Sequence, residues 1–334
     1  VTTAGERASG GSDEPDGEPI AVGHYCEGAG HATRMLAVAE ALADRGYDFE
    51  IAGGGPGEPF VEANGYTERP LPEVDFVGGY QSDNGSHVVF DGLPNFIRRV
   101  RAYVAWLNEV EPPVFLTDDI CGCFAASVAR QRYVYVSHDP AAFYDSPPER
   151  ASAWIRNRIP AVTAESFCFP KAWEGDPWIE TATPVGPIAP ADDTPEADLP
   201  DVDVLVVPSA FSVDEDDLDA ALADAGRTAT IVGGEDWTLK PSLQPYVRAA
   251  DLVVCSGYST VMEAAVAGTA CVVMPATSEQ RGVAAAMEGT RGFATAETIE
   301  EVVALLGTLD APEPQANGAE EIADAVVDAI ETAR

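Results

Sequence analysis

Lysine is almost missing from this chain. Among 334 residues only Lys171 and Lys240 are lysines, and Lys+Arg number 19 against Asp+Glu 56, a formal net charge of −37. A surface so poor in positive charge repels nucleic acid and anionic lipid, which sets both aside as partners of the surface at large. No stretch approaches the ~18 apolar residues needed to span a membrane. Residues 1–18 lack the apolar core of a signal peptide and read as a disordered acidic tail. The six cysteines, Cys26, Cys121, Cys123, Cys168, Cys255 and Cys271, contain no C-x-x-C and no paired metal spacing. Neither a structural metal nor a disulfide framework is expected, and no cofactor.

The body of the chain is nonetheless globular, because 46% hydrophobic residues is too many for a solvated polyanion. Self-repulsion of this size destabilises a compact state in dilute buffer, and molar salt screens it to a range of about 3 Å. The charge therefore reads as halophilic adaptation, part of an acidic proteome in a salt-rich cytoplasm, and the expected location is cytoplasmic.

Strand and helix signals alternate from residue 19 onward. "PIAVGHY" (19–25) reads as a strand, followed by a glycine-bearing loop and an alanine-rich helix closed by Gly46. "YDFEIAGGG" (47–55) is the next strand, and "GYTERPL" a candidate third. "LPNFIRRVRAYVAWLNEVEPP" (93–113) is a helix stopped by paired prolines. The strand "VFLTDD", a helix from about 121 to 131 and the strand "YVYVSHD" follow. Residues 184–200 carry five prolines and many acids and read as a linker. The alternation then restarts with "VDVLVVPSA" and ends in a helix at 318–334. The expectation is an α/β chain of two doubly wound Rossmann-like domains, at 19–183 and 201–317, facing each other across a cleft. In such folds ligands lie beyond the carboxyl ends of the strands.

Two junctions carry chemistry. In "HYCEGAGHATR" (24–34), Gly28 and Gly30 allow close backbone approach, and the helix start offers free N–H groups to an anion. A dinucleotide fingerprint needs a third glycine where Thr33 stands, although Glu50 occupies the place of its acidic partner; a nicotinamide enzyme is thus an alternative on half a match. His31 sits at the mouth of this loop. A helix amino end favours the neutral imidazole that a general base requires. A helix-start residue bonded to its own loop is the plainer reading.

The second junction is "CSGYSTVMEAAVAG" (255–268). Thr260-x-x-Glu263 has the spacing of a capping box. Alternatively, the Ser256–Thr260 turn holds a diphosphate with its free N–H groups, and Glu263 accepts hydrogen bonds from a ribose diol. After the strand "ACVVMP", Glu279-Gln280-Arg281 is either a solvated polar loop or a carboxylate beside a carboxamide, suited to neighbouring sugar hydroxyls.

With Gly28-Ala29-Gly30-His31 in the first half, and Ser256-Gly257, Glu263 and Glu279-Gln280 in the second, the chain resembles a GT-B glycosyltransferase. It is most similar to the group of the MurG-type N-acetylglucosaminyl transferases and UDP-glycosyltransferases (glycosyltransferase family 28). The "VGPI" at 185–188 resembles the domain joint of that group. Two departures are visible: Pro208–Ser212 has no glycine where the family has a glycine-rich turn, and Cys255 stands where an arginine commonly precedes Ser-Gly.

The resemblance implies inverting, metal-independent transfer of a sugar from a nucleoside diphosphate, of the UDP type, to an acceptor. His31 would act as the base. Ser256, Gly257, Tyr258, Ser259, Thr260 and Glu263 would hold the nucleotide, and Glu279 and Gln280 the sugar. Gly28, Gly30 and Thr33 would form the first-domain loop, with Asp118, Asp119, His138 and Asp139 as strand-end candidates for the acceptor. Arg98, Arg99 and Arg101, set among Phe96, Tyr103 and Trp106, are either a solvated face or a patch for a lipid-linked acceptor at a membrane surface. A sugar-nucleotide epimerase of the same fold and a catalytically silent nucleotide-sugar-binding subunit are the rival readings.

Overall fold

A computed structural model describes residues 18–74, 93–209 and 213–332. The first half contains β1 (Ile20–Gly23), α1 (Ala29–Asp44), β2 (Phe49–Gly53), α2 (Glu58–Ala63) and β3 (Glu68–Pro70). It continues with α3 (Leu93–Val110), β4 (Phe115–Thr117), α4 (Ile120–Ala129), β5 (Tyr133–Val136), α5 (Pro147–Arg158), α6 (Pro160–Thr163), β6 (Ser166–Pro170) and β7 (Thr183–Val185). The second half contains β8 (Val204–Val207), α7 (Glu215–Asp224), β9 (Ala229–Ile231), α8 (Gln244–Ala249), β10 (Leu252–Cys255) and α9 (Tyr258–Ala267). It ends with β11 (Cys271–Val273), α10 (Ser278–Ala286), β12 (Phe293–Thr295), α11 (Ile299–Leu305) and α12 (Gly318–Glu331).

The strands form two all-parallel sheets, a seven-stranded one in the order β3-β2-β1-β4-β5-β6-β7 and a five-stranded one in the order β12-β11-β10-β8-β9. Central strands such as β1, β4, β5 and β10 are buried on both faces, as continuous Val/Ile/Leu/Cys/Tyr runs require. In each sheet the strand order reverses once, between β1 and β4 and between β8 and β10. The crevice of a doubly wound sheet opens at such a reversal, so β1, β4 and β10 deliver their following residues to the places where ligands bind.

The final helix does not belong with its neighbours in sequence. α12 lays Ala319, Ile322, Ala323, Val326 and Ile330 against Ile20, Val22, Met35 and Leu42, closing one face of the first sheet. The chain crosses back beside the linker, where the Gly318 amide donates to the Pro187 carbonyl at 2.8 Å. A methyl group on Gly318 would strike the Gly186 backbone, so this crossing demands glycine. β7 takes Pro184 and Val185 out of the segment read as linker.

The apolar core on the other face of the first sheet runs through Tyr103, Trp106 and Phe115. It passes Phe143 and Trp173 and reaches Val253, Tyr258 and Val261 of the second lobe. Among the described residues no helix is long and apolar enough to cross a membrane.

Candidate active site between the lobes

The first junction is a bonded network. β1 ends at Gly23, Gly28 (φ +83°) starts α1, and His31 lies in the first turn of that helix. β4 ends beside it and presents Asp118. His31 Nδ1 is 2.7 Å from Asp118 Oδ2, and Arg34, one turn further along α1, donates from Nη2 to the same oxygen at 2.6 Å. Nη2 of Arg34 is also 2.9 Å from His31 Nδ1. A ring nitrogen that donates to Asp118 has no lone pair left for a second donor, so the guanidinium's bond is the one to the carboxylate. His31 is thereby held in the tautomer whose Nε2 is free to accept a proton. Burial pushes the Asp118 carboxyl up, but His31 and Arg34 outweigh it and hold it well below the usual carboxylate range.

Asp119, expected as an acceptor ligand, is something else. It is fully buried, caps α4 by accepting from the Cys121 amide at 2.8 Å, and takes the Arg99 Nε at 2.6 Å. Arg99, expected on a surface patch, is also fully buried and donates to the carbonyls of Gly53, Pro72 and His24. Both expectations are corrected by the same fact: the pair braces the strand ends from inside. Arg98 and Arg101 remain exposed.

Thr33 spends its hydroxyl on the Ala29 and Gly30 carbonyls of its own helix. Glu50 accepts from Trp106 Nε1 within β2, away from any strand tip. The nicotinamide alternative therefore lacks both of its landmarks.

Beyond His31 the site becomes shared. The His138 ring lies 5.4 Å from that of His31 and 4.5 Å from that of Tyr258, the first residue of α9. Burial, with Arg34 and His31 close by, holds His138 well below the ordinary histidine range, so it is neutral. Its Nε2 is 3.8 Å from Glu279 Oε1, a buried oxygen with no hydrogen-bond partner. Burial and the nearby Asp139 push Glu279 up to about 7, partly offset by Arg34. Asp139 itself is paired with Arg156 through Oδ2.

In the second lobe α9 starts three residues earlier than the capping-box reading requires. Gly257 is its N-cap and offers no side-chain bond, so Thr260 and Glu263 lie inside the helix and cap nothing. Glu263 is 6% exposed, its Oε2 has no partner, and burial pushes it up to about 7. Beside it, Gln244 donates to the Glu263 carbonyl at 3.4 Å while its own oxygen is buried and unpartnered. The capping box forms at α10 instead: Thr277 accepts from the Gln280 amide, and the Gln280 side-chain oxygen accepts from the amides of Ala276 and Thr277. That oxygen is spent locally, which removes it from the expected sugar contacts.

The gap is shut. Tyr258 donates its hydroxyl to the Pro170 carbonyl of the first lobe, and Ser256 and Thr260 are buried with it. Gly30 packs so closely on Ser259 that a Cβ there would collide with the serine hydroxyl. The crevice left among Gly30, Arg34, Tyr258, Ser259 and Glu263 measures about 10 Å³. The two lobes face each other across the expected cleft, which is narrow here because its walls touch at Gly30–Ser259 and Tyr258–Pro170.

Two Rossmann-like lobes meeting at the reversal points of their sheets define the GT-B fold. Solved structures of that fold are similar along nearly the whole chain. A Streptomyces sp. SF2575 glycosyltransferase, SsfS6, complexed with thymidine diphosphate, matches with TM-score 0.63 at 15% identity, covering 94% of this chain and 96% of that one. The glycotransferase of kitacinnamycin matches with TM-score 0.63 at 16% identity, over 95% and 100%. Glycosyltransferase VinC in complex with DTDP matches with TM-score 0.57 at 14% identity, over 94% and 95%. No family model matches the chain, and no curated protein matches its sequence.

Proposed function

We propose that this chain is an inverting glycosyltransferase that moves a sugar from a nucleoside diphosphate to a hydroxyl acceptor without a metal. The observation that carries the proposal is the His31–Asp118 pair at 2.7 Å, with Nε2 left free, opposite an uncapped α9 and the unpartnered Glu263. In the reaction the acceptor hydroxyl gives its proton to His31 Nε2 as its oxygen bonds the anomeric carbon, and the bond from that carbon to the diphosphate breaks. Asp118 stabilises the imidazolium that forms. Glu263 accepts from the ribose diol, the amino end of α9 receives the diphosphate, and Glu279 faces the sugar.

The division of labour follows the chain: residues 19–183 receive the acceptor, residues 201–317 the donor, and the 184–200 segment is the hinge side. A crevice of about 10 Å³ admits no nucleotide, so the lobes part to load and close to exclude water. The family resemblance implies uridine as the nucleobase, and thymidine joins it because SsfS6 and VinC are described with thymidine diphosphate. A placed His–Asp pair favours catalysis over a silent binding subunit.

The test is incubation with UDP- and TDP-sugars in molar KCl, following release of nucleoside diphosphate and thermal stabilisation. Stabilisation lost in Glu263→Ala, and turnover but not binding lost in His31→Ala, is the expected pattern. Absence of both stabilisation and release with every donor sinks the proposal.

A narrower version places the acceptor at a lipid surface, on the strength of exposed Arg98 and Arg101 beside exposed Leu93 and Ile97 on α3. Sedimentation with anionic vesicles, abolished by R98E/R101E, is its expected signature. Unchanged sedimentation in that variant removes it.

A further inference from the structure

The amino end of α9 is bare, and a bare helix end is only half of an anion site. The other half lies in the opposite lobe. Arg34 is 5% exposed, lines the closed crevice with Tyr258, Ser259 and Glu263, and is the one basic residue along it among the described residues. Its Nη2 is committed to Asp118, while its Nε is buried with no hydrogen-bond partner. Its guanidinium carbon stands 5.8 Å from the centre of the Tyr258 ring, at the first residue of α9.

A buried N–H of a charged group left without an acceptor is costly, and cores do not retain it without cause. Among the described residues the rest of the second lobe offers no substitute lining the crevice. Arg227, whose Nε is also unpartnered, is paired with Asp203 and Asp251 away from that lining, Arg248 is paired with Asp192, Arg281 is exposed and donates to the Ala276 carbonyl, Arg291 is exposed beside Asp310, and Lys240 lies over Trp237 and Tyr246. A phosphorylated ligand approaching a chain of net charge −37 therefore needs a cation that the α9 side does not supply.

We infer that Arg34 is a diphosphate ligand, reaching from α1 of the first lobe to the amino end of α9 in the second. This rests on the transferase reading above and deepens it: the donor is gripped from both lobes, not by the second alone. The planar fork of arginine suits the task. Its Nη2 holds Asp118, and through it His31, while the adjacent Nε–H remains for a phosphate oxygen. A lysine, with a single ammonium, cannot serve both at fixed geometry.

Calorimetric titration in molar KCl separates the possibilities. The probes are uridine diphosphate, thymidine diphosphate and the two parent nucleosides, against wild type, Arg34→Met, Arg34→Lys and Asp118→Asn. Loss of a charge-assisted bond in Arg34→Met weakens diphosphate affinity by about 10- to 100-fold and leaves nucleoside affinity unchanged. Arg34→Lys recovers part of the loss. Asp118→Asn breaks the same ion pair but keeps the cation, and so keeps diphosphate affinity.

Equal weakening of nucleoside and diphosphate in the Arg34 variants assigns Arg34 a purely structural role and overturns the inference. So does wild-type diphosphate affinity in either of them. If the methionine variant does not fold, the lysine variant carries the same comparison. Wild type that binds neither diphosphate brings down the transferase reading itself, a failure distinct from one confined to Arg34.

Discussion

The two strand–turn–helix junctions, β1–α1 and β10–α9, share a fold and differ in how far their polar groups are satisfied. At the first, the side chains of His31, Asp118, Asp119 and Arg99 are all bonded to one another or to backbone, and within their network it is the Arg34 Nε that is left buried without a partner. At the second, Glu263 Oε2 and the side-chain oxygen of the neighbouring Gln244 are buried with nothing to bond, as is Glu279 Oε1 at the start of α10. A satisfied network is rigid, and an unsatisfied one stores free energy that a ligand with the right donors releases. The contrast fits the proposed division between a lobe that holds a base in fixed geometry and a lobe that receives a nucleotide.

The contrast breaks most visibly at His31. His31→Ala should lower turnover by about 10²- to 10⁴-fold, with donor affinity unchanged, when initial rates and calorimetry are compared. A parallel loss of binding would mean that the first junction is not the separate chemical module described above. Next in size is the brace beneath it. Arg99→Leu leaves Asp119 buried and unpaired and should cost about 3–5 kcal/mol, measured by denaturant unfolding in high salt.

The second junction should answer to pH instead. Glu263 is raised from 4.5 to about 7 by burial, so the folded state keeps a proton that the unfolded state gives up. Its contribution to stability is fully present below about pH 4.5 and is lost as pH rises through about 7, a decline of about 3 kcal/mol. Glu263→Gln should flatten that slope in unfolding curves taken between pH 4.5 and 8. Because the ionised carboxylate accepts from ribose hydroxyls with both oxygens and more strongly than the protonated acid, nucleotide affinity should climb over the same interval. The smallest effect belongs to Gly30→Ala. The Ser259 hydroxyl it meets can turn away but the Ser259 Cβ, 3.0 Å off, must yield slightly, so the cost should be about 1 kcal/mol and vanish when paired with Ser259→Gly.

Much of the architecture was legible because it is written in periodicity. Strands and helices alternate where the apolar runs and glycine stops place them, and α9 ends at Gly268, whose φ of +73° suits a helix stop. The candidate site was legible by residue type and less so by partner. Asp118 and Asp119 are adjacent and chemically identical. Only the helix start at Ile120 decides that Asp119 is the cap and Asp118 the partner of His31. Arg99 read as surface because it sits between Arg98 and Arg101, yet Arg99, Tyr103 and Trp106 follow a buried i, i+4, i+7 series. Arg34 escaped notice although it lies three residues from His31, the spacing that puts two side chains on one helical face. The closure of the gap had no sequence signal, since it depends on Tyr258 and Pro170, 88 residues apart.

The packing of α12 on the first sheet bears on how this protein is made. β1, α1 and their neighbours leave the ribosome early, but the surface formed by Ile20, Val22, Met35 and Leu42 is covered only when residues 319–330 arrive. At ordinary rates of synthesis that delay is on the order of ten seconds or more. Until then the nascent first lobe shows solvent a greasy flank, the kind of surface that chaperones attend.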